Sequence, residues 1–205
     1  MSGLETQLFR PDVLEVSFEK EHLKKLHDFI SSKIEFSETT KKWISEEEKK
    51  LNLNYQTTLG LYLRGTDYIS LKPSGHPIQP TIDQACEKIN ELLLTDPGIE
   101  RIFLVTEDNN IYKEIKYRYP DKCSIVSFDS IVKDYSGNHL LAYDKSVYEL
   151  GTPYDRGMNY LVKLIILSKC NYLICDNTMG SWSAVIFNGG ISDYNYAFNL
   201  GKYDK

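Results

Sequence analysis

Short apolar segments alternate with helical segments along most of this chain, and that alternation limits the fold it can adopt. The segments "LGLYL" (59–63), "RIFLV" (101–105), "CSIVSF" (123–128) and "NYLIC" (171–175) have the length and composition of buried strands. Helical patterns lie between them, and crossovers of this kind join parallel strands. We therefore predict an α/β domain with a doubly wound, Rossmann-like parallel sheet.

The residues before the first predicted strand have a different pattern. Apolar residues recur at helical spacing from Phe18 to Ile34, and a second helix is predicted from Ser37 to Leu51 with Ser37 as its N-cap. We predict two units, an N-terminal helical arm over residues 1–56 and a Rossmann-like domain over residues 57–205. Within the domain, an irregular stretch is expected between residues 129 and 151.

Composition excludes several classes of protein. The chain has 205 residues, 41% of them hydrophobic, which is enough for one core. Its net charge is −5 and its lysines are scattered, which argues against a nucleic-acid-binding surface. The sequence has no signal-peptide core and no run of about 20 apolar residues, so we expect no membrane span and a cytoplasmic location. Its four cysteines form no CxxC pair and are predicted to be reduced core residues.

Polar residues follow each predicted strand. Because the carboxyl ends of parallel strands meet at one edge of a sheet, where ligands of such folds bind, we expect these residues to converge. They are Arg64, Gly65, Thr66 and Asp67 after the first strand, Thr106, Glu107 and Asp108 after the second, Ser127 and Asp129 after the third, and Asp176, Asn177, Thr178, Gly180, Ser181 and Ser183 after the fourth.

These groups suit a phosphorylated nucleotide with a sugar attached. The planar guanidinium of Arg64 matches a diphosphate, and "DNTMGSWS" (176–183) opens a helix whose free N–H groups can meet an anion. Glu107 and Asp108 can accept hydrogen bonds from ribose, sugar or base. No GxGxxG fingerprint, Walker A loop or zinc-ligand spacing is present, which weighs against a dehydrogenase, a P-loop enzyme and a metallohydrolase.

Structural explanations remain open for the same residues. Arg64 and Asp67 could form a salt bridge that serves only the fold. Asp108 could cap the helix that follows it, and Thr178 or Ser181 could cap theirs. His76 could be a polar loop residue.

Three segments in order resemble motifs of the fucosyltransferase superfamily that includes the protein O-fucosyltransferases, the core α1,6-fucosyltransferases and the nodulation-factor fucosyltransferases. "LGLYLRGTDY…GHPIQP" is similar to the family's arginine-bearing strand and the loop after it. "RIFLVTEDNNIYKEIKYRYPD" and "LSKCNYLICDNTMGSWSAVIF" are similar to its second and third motifs. The resemblance spans roughly residues 57–187.

The resemblance implies the C-terminal, donor-binding Rossmann domain of a GT-B glycosyltransferase. Such a domain binds GDP-fucose or a related GDP-sugar without a metal or another cofactor, and inverting transfer goes to a glycan or protein acceptor. Arg64 matches the arginine that neutralises the β-phosphate, Asp67 the aspartate of the same motif, and Asp108 a residue that contacts guanosine. The remaining predicted donor-binding residues are Gly65, Thr66, His76, Glu107, Asn177, Thr178, Gly180 and Ser181.

Three departures from the family pattern accompany the resemblance. Tyr62 stands where many members have a histidine, and Lys163 stands where the core fucosyltransferases have an aspartate, so base recognition is expected to differ. A GT-B enzyme also has an N-terminal, acceptor-shaping Rossmann domain that this sequence does not show. We therefore expect a fucosyltransferase-like donor domain that acts in polysaccharide or glycoprotein synthesis. The alternative is a module that binds GDP or a nucleotide sugar and catalyses nothing, or a truncated domain without transfer activity.

Overall fold

Five parallel strands form the central sheet of the protein. The structure, a computed structural model, describes residues 19–133 and 135–204. The sheet has the strand order β3-β2-β1-β4-β5, and every neighbouring pair is parallel. The predicted α/β class with a parallel, Rossmann-like sheet is confirmed. The strands are β1 (Thr58–Tyr62), β2 (Arg101–Val105), β3 (Cys123–Ser124), β4 (Tyr172–Cys175) and β5 (Tyr194–Ala197).

Helices connect the strands and cover both faces of the sheet. A polar N-cap residue with extended backbone angles precedes each long connecting helix. Thr81 and Thr152 form complete capping boxes. The helices are α1 (Lys20–Ser31), α2 (Glu38–Leu51), α3 (Asp67–Ser70), α4 (Ile82–Thr95), α5 (Asn109–Arg118), α6 (Pro153–Ser168) and α7 (Met179–Asn188).

Alternating side chains of the strands build a core on each face. On β1, Leu59 and Leu61 pack towards α4 and α5, whereas Tyr62 packs towards α6 and α7. On β2, Ile102 lies on the first face and Phe103 on the second, as the two-residue period of a strand requires. The four cysteines are free and buried, as predicted.

Two strands differ from the sequence prediction. The third strand was expected over residues 123–128 but comprises only Cys123–Ser124, because the backbone N–H and hydroxyl of Ser127 turn away to the buried carboxylate of Glu47. The strand β5 was not predicted, since its sequence YNYA is half-buried and has no apolar run.

The N-terminal helices pack on the same core as the sheet. The side-chain oxygen of Ser37 accepts a hydrogen bond from the Thr40 N–H, so the predicted cap of α2 is confirmed. Leu23 of α1 and Ile44 of α2 belong to the core beneath α6 and α7. The division at residue 56 stays a prediction, and the part of the predicted arm before residue 19 lies outside the described residues.

The irregular segment 129–150, apart from residue 134, folds over the carboxyl ends of β1 and β2. Its Val132 N–H donates to the Glu107 carbonyl at 2.8 Å, and its Leu141 N–H donates to Asp67 at 3.1 Å. It contains two short 3₁₀ turns, Leu141–Tyr143 and Lys145–Leu150. Among the described residues, no helix is both long and apolar enough to span a membrane.

Candidate functional site

Groups from three neighbouring strands meet at the carboxyl edge of the sheet. Arg64 follows β1, which lies between β2 and β4. Its backbone N–H donates to Asp176 Oδ2 beyond β4 at 2.6 Å, and its guanidinium Nε lies 3.3 Å from Glu107 Oε1 beyond β2. The arginine is therefore bound to both adjacent strand ends.

The guanidinium of Arg64 is held from several sides. Its Nη2 donates to Asp67 Oδ1 at 3.1 Å, and its central carbon lies 4.6 Å from the ring centre of Tyr68. Burial alone would lower the pKa of Arg64, but the negative charges of Glu107 and Asp67 raise it above its ordinary value. A quarter of the side chain stays exposed. The result is a permanent, oriented positive charge at the end of β1.

The loop after Arg64 is fixed by carboxylates from the end of β2. The Gly65 N–H donates to Glu107 Oε1 at 3.2 Å and the Thr66 N–H donates to Asp108 Oδ2 at 2.7 Å. A Cβ on Gly65 would lie 2.3 Å from the Asp108 Cβ, so this approach requires glycine. Thr66 has a φ of 48°, a strained backbone that the surrounding hydrogen bonds maintain.

Asp108 caps the helix that follows it. Its Oδ1 accepts hydrogen bonds from the N–H groups of Asn110 (2.8 Å) and Ile111 (3.2 Å), while its Oδ2 holds Thr66. Both oxygens are thus engaged with backbone. The capping role left open by the sequence is present in the structure, and the contact with guanosine stays a prediction.

Asp67 forms the salt bridge that the sequence left open. Its carboxylate is buried, and Oδ1 accepts from Arg64 and from the Thr66 hydroxyl at 3.2 Å. Its Oδ2 accepts from the N–H of Leu141, in the segment that covers the site. These contacts make Asp67 a positioning residue for the arginine and for the covering segment.

Asp176 directly follows β4 and was expected at this edge of the sheet, but no donor contact was assigned to it. It is fully buried, and its Oδ1 accepts from the Thr178 N–H (3.1 Å), the Thr178 hydroxyl (2.7 Å) and the Ser181 hydroxyl (2.5 Å). Burial raises the pKa of Asp176, and these hydrogen bonds oppose the rise. The two hydroxyls predicted to meet phosphate therefore donate to this carboxylate, and neither makes a side-chain cap on α7.

The start of α7 adjoins two tyrosine hydroxyls. A Cβ on Gly180 would lie 2.3 Å from the Tyr160 hydroxyl and 2.5 Å from the Tyr62 hydroxyl, and these two hydroxyl oxygens are 3.4 Å apart. Asn177, also predicted as a site residue, accepts a hydrogen bond from the Trp182 indole at 2.7 Å. Gly180 thus lies at the rim of the site, and Asn177 supports the turn into α7.

His76 lies on an exposed loop rather than beside the strand ends. Its ring packs edge-on against Tyr68 at 5.2 Å between ring centres, and Tyr68 in turn covers Arg64. The carbonyl of His76 accepts from the Tyr203 N–H near the C-terminus. The structure therefore places His76 behind the arginine, as the loop-residue alternative proposed, and its contact with a donor stays a prediction.

A cavity of about 460 Å³ opens beside Arg64. It lies between the ends of β1 and β2, the segment 129–150 and one face of α6. Tyr62, Arg64 and Glu107 line it from the sheet, and Leu141 lines it from the covering segment. Its size is in the range of small-molecule sites.

One face of α6 presents polar side chains to this cavity. Arg156, Asn159, Tyr160 and Lys163 share the face because their spacing follows the helical repeat. Lys163 is buried, and burial lowers the pKa of its ammonium below the ordinary 10.5; the charge of Glu107 opposes this and that of Arg64 adds to it. Sequence reasoning singled out Lys163 only by its departure from the family pattern.

The sheet and the polar residues at its carboxyl edge define an α/β domain of the Rossmann type. By sequence it is similar to an α-(1,6)-fucosyltransferase of Caenorhabditis elegans, with 26% identity over 149 residues, 72% of this chain and 24% of that protein. The resemblance to fucosyltransferases is thereby confirmed. No family model matches the chain.

Solved fucosyltransferase structures share the fold. The fucosyltransferase NodZ from Bradyrhizobium superposes with a TM-score of 0.52 and 14% identity over 87% of this chain and 50% of that one. A NodZ α-1,6-fucosyltransferase co-crystallised with GDP gives a TM-score of 0.50 and 14% identity over 90% of this chain and 61% of that one. The chain spans about a quarter of the C. elegans protein and half to three fifths of the solved structures.

Proposed function

We propose that this chain is the donor-binding domain of a fucosyltransferase-like glycosyltransferase and that it binds a GDP-sugar, with GDP-fucose as the first candidate. The single observation that carries the proposal is the guanidinium of Arg64, which is fixed at the carboxyl end of the central strand and lines the cavity. Fucosyltransferases similar to this chain, one of them crystallised with GDP, support the choice of ligand.

The role of Arg64 follows from where charge develops in sugar transfer. As the bond between sugar and diphosphate breaks, negative charge accumulates on the leaving GDP, and a fixed cation beside it lowers the barrier. Because Asp67 and Glu107 hold the guanidinium in place, it needs no reorganisation during the reaction. We propose that this cation serves in place of a metal ion and that transfer proceeds with inversion.

The acceptor is proposed to be a glycan or a protein. Since the chain corresponds to only part of the relatives it matches, transfer is proposed to require further acceptor-binding structure. The same observation favours the alternative, a domain that binds GDP or a GDP-sugar and catalyses nothing. A role in surface polysaccharide or glycoprotein synthesis and a cytoplasmic location extend the proposal on sequence grounds alone.

Thermal unfolding with different nucleotides tests the proposal. A ligand at about 100 times its dissociation constant stabilises a fold by about 2.7 kcal/mol, which raises the melting temperature of a chain this size by roughly 5–10 °C. We expect this shift with GDP and GDP-fucose but not with ADP. The absence of a shift with every nucleotide would contradict the proposal. If GDP-fucose binds, release of fucose or its transfer to an added glycan separates the enzyme from the non-catalytic module.

A further inference from the structure

Residues 129–132 form one wall of the cavity beside Arg64. Asp129, Ser130 and Val132 line the cavity from this run of chain, which we call the wall segment. The ladder between β2 and β3 ends at Ser124, before the wall segment begins. Because regular sheet pairing does not hold the wall segment, its position depends on the hydrogen bonds at its two ends.

The C-terminal end of the wall segment is fastened to the end of β2. The Val132 N–H donates to the Glu107 carbonyl at 2.8 Å, and Val132 forms a parallel bridge with Asp108. The carboxylate of the same Glu107 lies 3.3 Å from the Arg64 guanidinium. This end of the wall segment therefore keeps a fixed position relative to the arginine.

The N-terminal end of the wall segment is fastened to the helical arm. Ser127, two residues before the wall segment, donates both its N–H and its hydroxyl to the carboxylate of Glu47 on α2, the hydroxyl at 2.6 Å. Lys50, one turn further along α2, lies 3.7 Å from the same carboxylate and donates to the Ser127 hydroxyl oxygen at 3.2 Å. The side chain of Glu47 is 3% exposed, and burying a carboxylate is unfavourable unless hydrogen bonds compensate. Glu47 therefore holds Ser127 in one place.

We propose that Glu47 is a positioning residue for the donor site, because by holding Ser127 it places the wall segment against a ligand bound at Arg64. The inference rests on the proposed function, since it assumes that a nucleotide sugar occupies the cavity. It gives the helical arm a part in ligand binding, although the arm lies outside the sheet. A wall segment fixed at both ends needs no ordering when the ligand enters, and this preorganisation preserves affinity.

Calorimetric titration of GDP into Glu47→Gln and Glu47→Asp separates the length of this side chain from its charge. Glutamine keeps the length, and its carbonyl can accept the Ser127 N–H while its amide donates to the Ser127 hydroxyl oxygen. Aspartate keeps the charge but is one methylene shorter, so it does not reach Ser127 from the same backbone position. We expect Glu47→Gln to bind GDP within about twofold of the wild type and Glu47→Asp about five- to tenfold more weakly.

Glu48, the next residue on α2, supplies the matched control. Its carboxylate accepts from the Tyr55 hydroxyl at 2.7 Å and from Lys169 at 2.5 Å, both away from the wall segment. Glu48→Asp therefore loosens the same helix by the same exchange and should bind GDP as the wild type does. Unfolding curves define a temperature at which every variant is folded, and the titrations are made there. The affinity of the folded protein is the measurement, because a residue that only stabilises the fold would not change it.

The outcomes separate the inference from the proposed function. If the wild type binds GDP and folded Glu47→Asp binds it equally well, Glu47 does not position the site, while nucleotide binding stands. The inference is likewise overturned if Glu48→Asp weakens GDP as much as Glu47→Asp, or if Glu47→Gln weakens it as much as Glu47→Asp. If the wild type binds no GDP, the proposed function is contradicted and the inference with it.

Discussion

Asp176 Oδ2 accepts the backbone N–H of Arg64 at 2.6 Å, and this hydrogen bond joins residues 112 positions apart in the chain. The bond closes the ladder of β1 and β4 at the point where both strands end. It fixes the backbone from which the guanidinium projects. The position of the arginine therefore depends on a buried carboxylate to which no contact with the ligand was assigned.

Asp176→Asn is expected to destabilise the protein by about 1–3 kcal/mol, the cost of a buried donor left unpaired. Asparagine has one acceptor oxygen where the carboxylate has two, and its amide would face the donors of Arg64 or Thr178 and Ser181. Chemical denaturation measures the loss. Ser183→Ala on the same helix, which removes only a hydroxyl bonded to the Met179 carbonyl, should change stability little. Equal stability of Asp176→Asn and wild type would contradict the anchoring role.

Gly65→Ala is expected to displace the arginine loop. The new Cβ would stand 2.3 Å from the Asp108 Cβ, so the loop or the capped start of α5 must shift, at a cost of roughly 1–3 kcal/mol. Nucleotide binding should weaken together with stability. Gly157→Ala gives the contrast, because nothing lies within 4 Å of its Cβ in the helix and alanine there should stabilise α6 by roughly 0.5–1 kcal/mol. Unfolding curves check the stability of both variants, and titration curves check nucleotide binding by Gly65→Ala; an unperturbed Gly65→Ala would show that the loop adapts freely.

Asp144 gives the covering segment a dependence on pH. Its carboxylate accepts from the hydroxyl and N–H of Ser146 (2.5 and 2.9 Å) and of Ser136 (3.0 and 3.3 Å), and these bonds hold the pKa of Asp144 well below its ordinary 3.8. His139 Nε2 faces the same carboxylate at 3.4 Å. Because the folded-state pKa is lowered, the stabilisation is present above the unfolded pKa and is lost as pH falls through the folded one.

We therefore expect Asp144→Asn to lower the melting temperature at neutral pH and to approach the wild type as pH falls below 3.8. Melting curves over an acidic pH series make the comparison. Asp28→Asn, at an exposed side chain paired with Lys24, serves as the control and should change little at any pH. A difference between Asp144→Asn and wild type that stays constant through the acidic range would contradict this account.

The fold follows from local patterns wherever a segment is strongly apolar. The strands β1, β2 and β4 and the cap at Ser37 were predicted because continuous apolar runs and a capping residue report burial and helix starts directly. The strand β5 was missed because its position at the sheet edge needs no apolar run. The third strand was overextended because the bond from Ser127 to Glu47 joins residues 80 positions apart, which no local pattern indicates.

The sequence predicts which residues belong to the site better than it predicts the contacts that these residues make. Arg64 and Glu107 were identified because they directly follow apolar strands, and the topology brings them together. The engagement of Asp108 and Asp176 with backbone groups depends on the tertiary fold. The placement of Lys163 depends on which face of α6 meets the cavity, which the sequence does not reveal for a helix buried on most sides.

Calorimetric titration of GDP into the wild type, Arg64→Lys and Arg64→Ala tests the central claim most directly. Lysine keeps a charge beside Asp67 and Glu107 but lacks the planar fork, so we expect about tenfold weaker binding for Arg64→Lys and about a hundredfold or more for Arg64→Ala. Arg118→Ala, at a surface arginine paired with Asp83, should bind GDP as the wild type does. Unfolding curves confirm that each variant is folded. Wild-type affinity in a folded Arg64→Ala would contradict the account and leave Arg64 with a structural role alone.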